Sequence, residues 1–276
     1  MLDSILITLD GSKHAEDILD YVPSFAGAVS ATQISLLRVC DDESELKAAE
    51  AYLQEKVAAV VKSLGGTGAS TPTVQSSAIH KDRRSVAEVI LEFAVSQDVD
   101  VTMAATHGWT GADWSVVGGV ADSILSATTL PVLLVRPPFG RNPARLGKVE
   151  RILVPLDGSL LAEEALPYAR YLGQKTGAEV SIFHSKSSHE EVGQELTGYL
   201  DRIAAALAEQ GAKTKPVLRR GSPPGLEIAL EVEERDINLV VMSSHGETGA
   251  TEGAFGSVAS AVLHGSHVPV LIVPCR

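Results

Sequence analysis

Two loops rich in glycine and serine carry the residue types best suited to gripping an anion. One reads SSHGETGATEGAFGSVASAVL over 243–263, and the other ATHGWTGADWSVVGGVADSIL over 105–125. In the first, Gly246 is followed by nine residues and then Gly256-Ser257; in the second, Gly108 is followed by nine residues and then Gly118-Gly119. Glycine has no Cβ, so backbone N–H groups there can approach a phosphate closely. A helix opening at Gly256-Ser257 or Gly118-Gly119 would turn its free N–H groups and the positive end of its dipole toward the same anion. Ser257 adds a hydroxyl donor that the other loop lacks. The acidic residues oppose this: Glu247 and Glu252 lie in one loop, and Asp113 lies between Trp109 and Trp114 in the other. A carboxylate a few ångströms from a phosphate costs about 1–4 kcal/mol in a partly screened site. A divalent cation such as Mg²⁺ would reverse that sign.

Several other side chains have two readings each. Asp10 and Asp157 both precede Gly-Ser. A turn-forming, helix-capping role fits them, and it can coexist with a ligand contact. His107 and His245 precede the loop glycines and could touch phosphate or metal; a hydrogen bond to their own backbone is the plainer expectation. His264 and His267 have a metal-like spacing with no evident third ligand, which reads as surface histidine. Cys40 and Cys275 have no recognisable activating partner. Arg83-Arg84 and Arg219-Arg220 read as solvated edge charge in preference to an anion site. Ser222 in GSPPG directly follows the glycine, so it is no nucleophile elbow. No Ser-His-Asp set or carboxylate pair can be assembled from spacing. No general base with a positioned partner is visible, so spacing gives an enzymatic role no support.

The elements that position these loops occur twice. ILITLDGS at 5–12 recurs as ILVPLDGS at 152–159, an offset of 147. Ala15-Glu16, Leu19, Tyr21 and Tyr52-Leu53 match Ala162-Glu163, Leu166, Tyr168 and Tyr199-Leu200 at that offset. DVDVTMAATHG at 98–108 matches DINLVVMSSHG at 236–246, and LPVLLVRP at 130–137 matches VPVLIVPC at 268–275, now at an offset of 138. Nine residues are thus missing from the second copy. The intervening stretch, RPPFGRNPARLGKVE, has prolines and glycines that suit neither helix nor strand. The expected division is one domain over 1–137, a linker over 138–149 and a second domain over 150–276.

Within each copy, short apolar runs alternate with longer helical patterns. The first copy predicts strands at 4–9, 33–39, 73–79, 99–106 and 131–135, the third of them more polar. It also predicts a helix from Ser12, a second over 44–64 with Leu46, Ala49, Leu53, Val57, Val60 and Val61 on one face, and others at 85–97 and 118–129. Strands near 151–156, 179–184, 214–219, 237–243 and 269–273 are predicted in the second copy. Strands alternating with helices imply crossover connections and two tandem doubly wound α/β domains, each with a mostly parallel sheet. Ligands then sit beyond the carboxyl ends of the strands, where strand order reverses. That end holds both Asp-Gly-Ser turns and both glycine loops.

Composition agrees with this class. Apolar residues make up 45% and aromatics only 4%, so aliphatic side chains must fill the core, as in sheets covered on both faces. A net charge of −12 opposes general binding to nucleic acid or anionic membrane, without excluding a local anion site. Two cysteines make neither a disulfide framework nor a metal knuckle. The amino terminus reads as a strand with no signal sequence, and no apolar run is long enough to span a bilayer. The expected location is the cytoplasm.

These motifs resemble the universal stress protein family over nearly the whole chain, as two tandem domains. The opening LDGS, the Ser/Thr-His-Gly after strand four, the Gly-Ser helix start and the final PVL-L/I-V strand carry the resemblance. It implies an adenine nucleotide alpha hydrolase-like fold with five parallel strands in the order 3-2-1-4-5. It also implies antiparallel pairing of 131–135 with 269–273, so that one chain imitates a dimer, with a further homodimer as an open alternative. ATP-binding members carry G-x2-G-x9-G-S/T. Here Ser243 and Ala105 replace the first glycine, and Gly119 replaces the hydroxyl residue in the first copy. The resemblance implies nucleotide contacts at Asp157, Ser185, Ser243, His245, Gly246, Gly256 and Ser257, and weaker ones at Asp10, Val39, Gly108 and Gly118. The implied function is a stress-response protein with a regulatory ATP site, with Mg²⁺, mainly in the second domain. A scaffold binding a protein partner or small apolar ligand is the alternative.

Overall fold

The computed structural model describes residues 2–65, 71–106, 118–136, 148–187, 194–221, 223–246 and 256–275. They fall into two compact units that divide at residue 147. Neither His107 and Gly108 nor Glu247 and Glu252 lie among the described residues, and the tryptophans and most of the expected linker also lie outside them.

Unit one has strands β1 (Ser4–Thr8), β2 (Gln33–Cys40), β3 (Thr73–His80), β4 (Val101–Ala105) and β5 (Val132–Val135). They pair in parallel in the order β3-β2-β1-β4-β5. Unit two repeats this with β6 (Arg151–Pro155), β7 (Glu179–Ser187), β8 (Lys213–Gly221), β9 (Leu239–Ser243) and β10 (Val270–Val273), in the order β8-β7-β6-β9-β10. The central strands are continuous apolar runs because both faces are covered: Ile5, Leu6 and Ile7 are all fully buried, as are Ile152, Leu153 and Val154. The more polar β3 and β8 lie at sheet edges, where one side needs no partner strand. Crossovers, right-handed as a general rule in parallel sheets, carry the chain one way from the central strand and then back the other. The order therefore reverses between β1 and β4, and between β6 and β9.

The helices of unit one are α1 (Lys13–Glu16), α2 (Val22–Val29), α3 (Leu46–Leu64), α4 (Val86–Ser96) and α5 (Gly119–Ala127). Unit two has α6 (Leu160–Glu163), α7 (Leu166–Thr176), α8 (Gln194–Glu209), α9 (Pro224–Glu234) and α10 (Ser257–Gly265). Ser85 caps α4 in a reciprocal box with Glu88, which satisfies two of the helix's open N–H groups. On α3 the buried stripe is Ala49, Leu53, Val60 and Leu64; Val61 falls on the exposed side. No described helix is long and apolar enough to cross a membrane.

Two expectations need correction. The helix expected from Ser12 is broken: α1 gives way to a 3-10 stretch at Asp17–Tyr21, and α2 restarts with Pro23 in its first turn. Proline lacks an N–H and its ring collides with the carbonyl four residues back, so it is accommodated at a helix start. Pro167 does the same at the start of α7. The arginines at the end of strand three are also not simply solvated. Arg219 Nε donates to Glu231 Oε2 at 2.7 Å, Nη2 binds Glu234, and Nη1 lies 3.6 Å from Glu227 Oε2. Glu227 and Glu231 are themselves buried. In unit one Arg84 is tied to Glu92 and Asp82, while Arg83 is exposed. Arg84, just after β3, and Arg219, within β8, thus fasten each edge strand to the helix after it.

Removing one partner of a buried ion pair strands the other charge, at a cost of about 3–5 kcal/mol. Arg219→Ala is expected to lower the urea stability of unit two by about that amount, and adding Glu231→Leu should recover part of it. A change within experimental error would mean that the cluster is solvated after all.

Candidate functional site

Each central strand ends in the same turn. Gly11 has φ +87° and Gly158 has φ +96°, a left-handed backbone that glycine adopts without steric cost. Asp10 Oδ1 accepts from the Ser12 N–H at 2.8 Å. Asp157 Oδ1 accepts from the Ser159 N–H at 2.9 Å and from its hydroxyl at 2.7 Å. Each serine oxygen then accepts from the third backbone N–H beyond it, that of Ala15 or Ala162, at 3.1 Å, so the aspartate shapes the turn and the serine caps the helix. The turn role expected for these aspartates is therefore present, and each aspartate also lines a cavity.

In unit two the cavity measures about 220 Å³, and Asp157, Ser185, Ser243, His245, Gly246, Gly256 and Ser257 all line it. The turn after β9 is held by its own side chains. Ser243 Oγ donates to the His245 carbonyl at 2.6 Å, and Ser244 Oγ lies 3.1 Å from His245 Nδ1. The Gly256 N–H donates to the Ser244 carbonyl at 2.7 Å. Among the described residues, buried His245 Nε2 and Ser185 Oγ have no hydrogen-bond partner, a state that costs free energy unless another group, a ligand or water pairs with them. Cys275, penultimate in the chain, closes the back of this turn: its N–H donates to Ser244 Oγ at 3.1 Å, and Sγ lies 3.4 Å from the His245 carbonyl. Spacing gave no sign of that contact, because it joins two strand ends far apart in sequence.

In unit one the cavity measures about 530 Å³ and takes in Asp10, Val39 and Gly118, together with Arg38, Gly119 and Val120. Gly108 lies outside the described residues. Helix α5 starts at Gly118 and α10 at Gly256, with no side-chain cap among the described residues. Their first-turn N–H groups are thus available at the cavity walls. His264 is half-buried, with Nδ1 3.3 Å from Ser260 Oγ, and His267 pairs with Glu233 at 3.3 Å. Among the described residues no three His, Cys, Asp or Glu side chains converge as metal ligands.

The repeated Glu and Tyr also meet. Tyr199 OH donates to Glu163 Oε1 at 2.9 Å; burial and that bond push the phenol above its ordinary range. In unit one Tyr52 is pushed up by burial and by the charge of Glu16, while Lys56 binds Glu16 at 3.1 Å. Burial likewise raises the Cys40 thiol, against the opposing charge of Arg38, so it is not an activated nucleophile.

The family model described as the universal stress protein family matches twice, over residues 1–136 and 148–274. The chain belongs to the universal stress protein family. A universal stress protein of Methanocaldococcus jannaschii is 30% identical over 147 residues, covering 48% of this chain and 85% of that protein. The crystal structure of a universal stress protein from Archaeoglobus fulgidus DSM 4304 matches 99% of both chains, with a TM-score of 0.74 and 21% identity. That full-length match supports the tandem fold. A universal stress protein from Archaeoglobus fulgidus in complex with dAMP is 23% identical, with a TM-score of 0.38, and covers 45% of this chain and 97% of that one.

Gly246 has a local reason to be glycine. A Cβ there would stand 1.9 Å from Asp157 Oδ2, far inside contact distance. Gly246→Ala is expected to destabilise unit two by about 1–3 kcal/mol, the usual cost of overpacking. Asp157→Ala in the same chain should relieve most of that cost in a double-mutant cycle of urea denaturation. Full additivity of the two changes would show that the contact is absent.

Proposed function

We propose that this chain is a cytoplasmic stress-response protein that binds an adenine nucleotide as a regulatory ligand, beyond the carboxyl ends of its central strands. The observation that carries the proposal is convergence: an aspartate turn, a strand-two residue and an uncapped glycine-led helix start border one cavity in each unit. These residues lie in separate stretches of sequence, and the fold brings them to the same sheet end, the end at which open parallel sheets receive ligands. The orphaned Ser185 Oγ and His245 Nε2 suit the polar edge of a base or sugar, and the free N–H groups of Gly119 and Ser257 suit phosphate. The nucleotide would supply a charged, exchangeable signal, with Mg²⁺ arriving on its phosphates. The domains we assign are those expected from the repeat, 1–137 and 150–276.

The motif ranks the second unit first, because it keeps Ser257 where the first has Gly119. Volume ranks the first unit first: ligand pockets usually enclose about 300–1,000 Å³, a range that includes 530 Å³ but not 220 Å³. The smaller cavity has an apolar wall of Phe183, Ile228 and Met242. That wall favours, for unit two, the alternative of a small apolar ligand on a scaffold.

Calorimetry of the full chain with ATP and Mg²⁺ tests the proposal. Binding heat is expected, with saturable stoichiometry. Gly119→Ala and Gly256→Ala should weaken it, because neither Cβ meets a protein atom closer than 3.7 Å, and a loss would therefore report on ligand approach and not on folding. Absence of heat, with no nucleotide retained through purification, would overturn the proposal.

A further inference from the structure

One helix in each unit carries a cavity wall, and the two helices are seated by opposite chemistry. At an offset of 138, α4 and α9 match position for position along their whole length. Val86 and Ile90 line the first cavity, and their counterparts Pro224 and Ile228 line the second. Strand register supplies the matching edge-strand position. Val39 pairs with Ile79, and Ser185 pairs with Arg219. Val39 and Ser185 correspond, because each lies two residues past a carbonyl, that of Leu37 or Phe183, which accepts from the N–H of Leu9 or Leu156.

Three positions where the edge strand meets the helix can therefore be compared. Unit one fills them with Ile79, Val89 and Phe93, the last two buried. Unit two fills them with Arg219, Glu227 and Glu231, both glutamates buried. The outward face is reversed as well. Unit one exposes Glu88 and Glu92, where unit two exposes Leu226 at 52% and Leu230 at 39%. A surface helix ordinarily turns its apolar stripe inward and its charges outward. On this side α9 does the opposite, so a cation holds it where apolar contact holds α4.

The cation is well engaged. Arg219 Nε donates to Glu231 Oε2 at 2.7 Å, and Nη1 lies 3.6 Å from Glu227 Oε2. Glu234 takes Nη2, and Arg235 Nε lies 3.7 Å from Glu231 Oε1. Glu227 also bears on the end of β8: a Cβ on Gly221 would stand 2.7 Å from its Oε1. Taking such charges out of water costs free energy, and a packed apolar set is often as stable or more so. What the guanidinium adds is direction, since its planar fork fixes angles as well as distances. Ile228 lies between Glu227 and Glu231 in sequence, so the fork sets the rotation of α9 about its own axis, and with it the cavity wall.

Resting on the nucleotide reading above, we propose that Arg219 is a positioning residue for the second cavity: its ionic latch with Glu227 and Glu231 fixes the α9 wall against which the nucleotide seats. It acts through Pro224 and Ile228 and does not touch the ligand.

The test separates seating from stability. The full chain, labelled at isoleucine methyls and backbone amides, is titrated with ATP and Mg²⁺. The Ile228 methyl reports unit two, and the Gly119 amide reports unit one. Urea denaturation is followed in parallel. The triple variant Arg219→Ile, Glu227→Val, Glu231→Phe gives unit two the residues of unit one. It should keep or raise the urea midpoint of unit two, yet weaken ATP at Ile228 about fivefold or more, within the range for residues that touch no ligand. The affinity read at Gly119 should not change. Arg219→Lys keeps the charge and loses the fork; it should also weaken ATP at Ile228, so the proposal does not depend on the triple variant folding. Native affinity at Ile228 in a stably folded triple variant, or in Arg219→Lys, would overturn the inference and make the latch purely structural. ATP that shifts Gly119 but not Ile228 in the native chain would overturn it too, leaving the nucleotide reading to unit one. A native chain in which neither reporter shifts would overturn the nucleotide reading itself, and this inference with it.

Discussion

The whole site depends on a left-handed glycine. Each central strand must stop and turn into a helix within four residues, and Gly11 and Gly158 make that reversal at positive φ. The turn fixes three things at once. It sets an aspartate carboxylate at the carboxyl end of the sheet, it caps the next helix with a serine, and it opens the crevice between the central strand and β4 or β9. A side chain at either glycine would strain the backbone; at Gly11 it would also meet the Arg38 guanidinium.

From that shared frame the copies have diverged at their walls. The first unit keeps a larger cavity with an arginine in its wall; the second keeps Ser257, a histidine bound to backbone and a smaller, mostly apolar space. The sheets pair in the same strand order and the capping turns make the same hydrogen bonds, while side chains at the sheet end differ. Ile5, Leu6 and Ile7 are as fully buried as Ile152, Leu153 and Val154, whereas Arg38 and His184 are only partly buried. Divergence is cheapest where side chains face the cavity.

Most of the fold was legible because parallel strands buried on both faces are apolar runs with nothing else in them. The Asp-Gly-Ser turns were legible because each residue type has one local task. Less visible was the break after Ser12, which depends on Pro23 entering a helix that the apolar pattern alone would continue. The tie between Arg219 and three glutamates was hidden because α9 follows the strand, and its acids read as an ordinary solvated face. Arg38 escaped notice for a different reason. The sequence pairing of Val39 with Ser185 already sets Arg38 opposite His184, as hydrogen-bond register does, but it does not say which way either side chain turns. Gly108, His107 and the acidic loop residues lie outside the described residues, so their part in the site stands as read from sequence.

The most direct test of the central account is to map where ATP acts on the folded chain. Backbone amide shifts of the ¹⁵N-labelled protein would be followed through a titration with ATP and Mg²⁺. The account predicts that Gly11, Val39, Gly119 and Val120 move in saturable fashion, while Thr32 and Asp100 at the opposite end of the same sheet do not. Shifts confined to that opposite end or to the edge strands, or no saturable shift at the turn glycines, would contradict it.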